Sequence, residues 1–80
     1  MKLIDLIKII PKKEEFIVEE YAASGRMIYG YFVDPDDPIH RNRDQLKIVY
    51  DCEVTGIRSQ INYERRKSYI AIEILSPIKE

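Results

Sequence analysis

The sequence predicts an α+β domain: an N-terminal amphipathic helix packed on a small antiparallel sheet of two hairpins, about four strands in all. Three observations carry this. Leu3, Leu6, Ile7 and Ile10 recur at helical spacing; two β-forming runs, Phe16–Tyr21 and Met27–Val33, flank a turn; and Ile70, Ile72 and Ile74 alternate near the end of the chain. Eighty residues fit one domain, 1–80. A chain of this size hides only about 60% of its unfolded surface, so the core is a single thin layer and homo-oligomerisation is an expected source of extra burial.

In the first element, Lys2, Asp5 and Lys8 fall away from the apolar stripe, and Pro11 stops the helix. Ile4 and Ile9 widen the stripe beyond what one packed face needs. The run FIVEEY is rich in β-formers, AASGR supplies a turn in which Gly25 is free to take positive φ, and MIYGYFV alternates Met27, Tyr29, Tyr31 and Val33 against Ile28, Gly30 and Phe32. Together they make the first hairpin. Residues 53–61 and 68–75, separated by the charged NYERRK, make the second, and Pro77 ends it.

Residues 38–51 read two ways. Asp37 is placed to cap a helix with Pro38 at its first position, and Ile39, Leu46, Val49 and Tyr50 then lie near one face. Leu46, Ile48, Tyr50 and Cys52 also alternate as a strand does. The expectation is a loop or short helical turn to about Gln45, then extended chain.

Composition excludes several classes. A net charge of −1 fits neither a strongly basic nucleic-acid binder nor a strongly acidic DNA mimic. Residues 1–40 carry five Lys/Arg against eight Asp/Glu and residues 41–80 eight against six, so anion-attracting surface belongs to the second half. A lone cysteine, Cys52, allows no internal disulfide and fits a reducing, cytoplasmic setting. The apolar opening MKLIDLIKII is broken by Asp5 and Lys8 and is about half the length needed to cross a bilayer, so neither a signal peptide nor a membrane partner is expected.

The stretch FVDPDDPIHRNRDQ concentrates Asp34, Asp36, Asp37, His40 and Asp44. A calcium loop counted from Asp34 needs glycine at its sixth place and glutamate at its twelfth, where Ile39 and Gln45 stand. Arg41 and Arg43 interleave with the oxygen donors and compete for them, so the stretch reads as a turn rather than a metal site. A Cys52–His40 dyad lacks support from spacing, the three glycines are too dispersed for a phosphate loop, and neither an enzyme nor a cofactor is expected.

Two groups remain as binding candidates. Tyr21, Tyr29 and Tyr31 are drawn together if Tyr21 lies opposite the other two in the first hairpin, and exposed tyrosines supply large contact area at small entropic cost. Arg65, Arg66 and Lys67 stand at a hairpin tip between Tyr63 and Tyr69, with Arg58 nearby; guanidinium groups grip phosphate and tyrosine rings stack on bases. The first group suits a protein partner. The second suits a phosphate-bearing ligand, either a nucleotide signal sequestered by an oligomer or a nucleic acid.

The opening MKLIDLIKIIPKKEEFIV resembles a class of short phage and prophage accessory proteins that begin with M-K, an apolar residue, x-D-L, another apolar residue and K. Met1, Lys2, Leu3, Asp5, Leu6, Ile7 and Lys8 carry the match, and DCEVTGI followed by IAIEI is similar to how such chains end. The resemblance implies a non-enzymatic inhibitor or modulator of a host protein in the host cytosol, with host defence the implied target and anti-CRISPR proteins the comparison. It carries over no site residues.

Overall fold

Both β-forming runs of the first hairpin become strands with the expected bounds, β1 (Phe16–Tyr21) and β2 (Met27–Val33), paired antiparallel. Gly25 takes φ 91° in the turn between them, a conformation that costs glycine no Cβ clash. The second hairpin is β3 (Val54–Asn62) and β4 (Lys67–Leu75). The computed structural model describes residues 1–64 and 66–77.

The four strands form one sheet in the order β2-β1-β4-β3. The expectation of an antiparallel sheet needs correction, because β1 and β4 pair parallel, from Phe16↔Ile70 to Tyr21↔Leu75. Each hairpin fixes only its own antiparallel pair. The two hairpins abut through β1 and β4, the strands whose apolar residues are buried most fully, and the segment between them returns the chain so that these two run the same way. The glycine-bearing strands β2 and β3 are left at the edges.

Strand parity divides the sheet into two faces. Phe16 and Val18 of β1, Tyr31 and Val33 of β2, and Ile70, Ile72 and Ile74 of β4 share the core face. A short helix, α1 (Leu3–Ile7), contributes Leu3, Leu6 and Ile7 to the same buried cluster. Asp5 Oδ2 reaches back to accept the Lys2 backbone N–H at 3.1 Å, which satisfies one orphan donor of the first turn. The helix is shorter than its apolar stripe: Ile9 N–H bonds Leu6 O at 3.0 Å in a tightened last turn.

Residues 46–49 are helical, where extended chain was expected. A 3-10 helix spans Arg43–Val49, and it buries Leu46 and Val49, whose spacing of three puts them on one ridge of such a helix. Its cap is Asn42, whose side chain accepts from Asp44 N–H at 2.8 Å. Asp37 instead closes a local turn on Ile39 N–H, 2.8 Å away, so no helix begins at Pro38. Arg43 then ties this segment to the end of α1, donating to the carbonyls of Ile7 (3.1 Å), Ile10 (2.9 Å) and Pro11 (2.6 Å) while lying 5.2 Å from the Phe16 ring centre. No helix among the described residues is long and apolar enough to cross a membrane.

Candidate protein-binding surface

The tyrosines separate by strand parity. Val18 pairs with Tyr31 and Glu20 with Tyr29, which places both tyrosines on the core face; Tyr21 is one residue further, pairs with Met27 and lies on the opposite face. An irregularity between Glu20 and Tyr21 leaves Ile28 as the extra residue of β2. The expected three-tyrosine cluster is therefore a pair. Tyr29 and Tyr31 meet edge to face with centroids 4.6 Å apart; Tyr31 is 7% exposed and Tyr29 57%.

These two rings line a groove of about 510 Å³ with Glu20, Ile28, Gln45 and Ile48. Glu20 shares the core-face parity of Phe16 and Val18, and is buried. Among the described residues its carboxylate takes one side-chain hydrogen bond, from the Tyr31 hydroxyl at 3.1 Å. Burial first, then that bond and the carboxylate charge, push the Tyr31 phenol up to about 12. Ile48, 78% exposed, also borders a second groove with Asp51, Glu53 and Leu75. One apolar ridge thus stands between Glu20 on one side and, on the other, Asp51 and Glu53, whose carboxylates pair with Lys2 Nζ (3.8 Å) and the N-terminal amine (3.2 Å).

The face away from the core carries a different arrangement. The Arg58 guanidinium donates from Nη1 to Glu73 Oε1 at 2.5 Å and sets Nη2 at 2.5 Å from Glu19 Oε1. With the Gln60 amide oriented to satisfy both its neighbours, its Nε2 donates to Tyr69 Oη (2.6 Å) and its Oε1 accepts from Arg58 Nη2 (2.6 Å) and Nε (2.9 Å). The bond to Glu19, ahead of the opposing desolvation, raises the Arg58 pKa further. Gly56 leaves room for this: a Cβ there would lie 2.7 Å from Glu73 Oε2, so any other residue pushes that carboxylate aside.

The expected phosphate cluster is thereby divided. Arg58 is turned to Glu19, Glu73 and Gln60, and Tyr69 packs its ring 6.5 Å from Phe32. Tyr63 and Arg66 are exposed in the turn between β3 and β4, where Arg66 takes φ 52°, and Lys67 is exposed at the start of β4; Arg65 lies outside the described residues. In the aspartate-rich segment, His40 Nδ1 stands 2.8 Å from Asp37 Oδ2, and Asp34 Oδ1 accepts Asp36 N–H at 2.9 Å, so these side chains bind their own loop. The His40 bond, chiefly, holds the Asp37 carboxyl below its usual range. Cys52 is buried, and that burial, then Glu20 and Asp51, pushes its thiol up.

Sequence reasoning found Tyr29 and Tyr31 but missed Glu20, Gln45 and Ile48. A signal existed for Glu20, since a carboxylate at the third alternate position of Phe16, Val18, Glu20 breaks an apolar face. Gln45 and Ile48 depended on the helical turn of residues 43–49, which the strand-like alternation concealed. No protein-family model, no curated protein and no solved structure matches this chain.

Proposed function

We propose that the chain is a non-enzymatic binding protein that occupies a basic patch on another protein through the groove at the β2 edge. One observation supports this above the others: the buried Glu20 carboxylate forms the floor of a groove whose walls are Ile28, Tyr29 and Ile48. A lysine or arginine from a partner fits that chemistry, with its aliphatic stem along the walls and its cationic head at Glu20. Tyr29 and Ile48 supply exposed apolar area around it. The resemblance to phage accessory proteins makes a host protein, and within that class a defence factor, the expected target, with inhibition by occupancy the expected effect.

The test is a binding comparison between the native chain and two surface variants, Ile48→Arg and Tyr29→Ala, against host lysate. Ile48→Arg brings a cation to the groove, where it competes for Glu20 and repels a basic partner. A stoichiometric partner retained by the native chain and lost by both variants is the expected result. Equal retention by all three places the interface elsewhere.

A further inference from the structure

The outer edge of β3 stands at the opposite side of the sheet from the tyrosine groove. Among the described residues its only pairing is at the start, where Glu53 bridges Lys2 and Val54 N–H bonds Met1 O at 2.8 Å. From Gly56 to Ile61 the edge pairs with no other strand among those residues. Exposed edges are usually guarded by lysine or proline, and this stretch has neither. Its one charge, Arg58, is engaged with Glu19 and Glu73 of its own sheet. On the core face Ile57 and Ile61 are 57% and 59% exposed, and a groove lined by Leu6, Ile9, Ile10, Pro11, Ile57 and Ile70 runs alongside, with Ile9 itself 70% exposed.

We propose that β3 pairs antiparallel with β3 of a second copy, about a two-fold axis through Ser59, to give a continuous eight-stranded sheet. The occupant is argued from register. A two-fold axis normal to the sheet keeps both core faces on one side and pairs only residues of like parity. Centred on Ser59, it sets Ile57 against Ile61 twice on the core face, Arg58 against Gln60 twice on the other, and Gly56 against Asn62. Centred on Arg58 it opposes two arginines and leaves Ile57 against Ser59; centred on Gln60 it sets Ile61 against Ser59 and pushes Ile57 past the strand end at Asn62. Of these three, the Ser59 register alone sets isoleucine against isoleucine, and it does so twice. It also carries Ile61 of the second copy to the mouth of the apolar groove beside Ile57.

Sedimentation of the full chain from micromolar to millimolar concentration reads the state directly, and the expected result is the mass of two chains. Ile57→Lys with Ile61→Lys opposes like charges twice and weakens association at least ~10-fold. Ile57→Lys with Ile61→Glu opposes Lys to Glu twice and restores it. Circular dichroism on each variant checks the fold, and the independent variant Ser59→Cys, mildly oxidised, is expected to cross-link two chains while the native chain, with Cys52 buried, does not. A native mass of one chain throughout overturns the proposal. So do a dimer indifferent to the paired lysines and a Ser59→Cys chain that stays uncrosslinked, since either places the contact on another surface, the tyrosine groove included.

Discussion

Replacing Arg58 with methionine keeps most of its aliphatic stem and removes the charge, and the structure sets the expected cost. Two carboxylates converge on the guanidinium. The Glu19 side chain is 10% exposed, whereas those of Arg58 and Glu73 are 37% and 36% exposed. An exposed ion pair contributes about 0–1 kcal/mol, and stranding one partner of a buried pair costs about 3–5 kcal/mol. One mostly buried and one half-exposed carboxylate, both facing a partly solvated cation, place Arg58→Met at about 2–3 kcal/mol. For a domain of this size that lowers Tm by about 10–20 °C. Urea denaturation with an unchanged m-value is the assay. Adding Glu19→Gln removes the stranded charge and is expected to recover at least half of the loss. An Arg58→Met chain within about 0.5 kcal/mol of native refutes the reasoning and returns Arg58 to the pool of ligand-binding cations.

Other consequences follow from single residues. Arg43→Ala removes three bonds to the carbonyls after α1 and the contact over Phe16, with an expected loss of about 2 kcal/mol that lysine, lacking the guanidinium fork, recovers by less than half; chemical denaturation measures it. Gly56→Ala displaces the Glu73 carboxylate at about 1 kcal/mol in the native chain and far less in the Arg58→Met background, a double-mutant cycle read by melting temperature. Tyr31 keeps its proton to about pH 12 in the folded chain, against about 10 when unfolded, so its contribution is complete below pH 10 and is lost as pH rises through 12. Tyr31→Phe is accordingly expected to abolish the last phase of phenolate absorbance and to flatten the alkaline loss of stability.

The hairpins were legible because each is local: β-branched and aromatic runs bound a turn with the residues that turn needs, and alternation names the inward side. The parallel contact between β1 and β4 was not, since no local pattern sets the direction in which two hairpins abut. In the crossover, the same residues satisfied a period of two and a spacing of three, and the buried pair Leu46 and Val49 decided for the 3-10 helix. Arg58 illustrates the limit for sites. A count of basic residues assembles it with Arg65, Arg66 and Lys67, yet two glutamates distant in sequence, brought side by side by that parallel pairing, take it first.

The groove at Glu20 stands or falls on one titration. A partner recovered with the native chain is to be titrated by calorimetry against native, Ile48→Arg and Glu20→Gln chains of verified fold, at low and high salt. Binding weakened at least ~10-fold by either substitution, with a native affinity that falls as salt rises, is the predicted result. A partner that binds all three chains equally, with no dependence on salt, contradicts a basic side chain seated at Glu20 and moves the interface off this edge of the sheet.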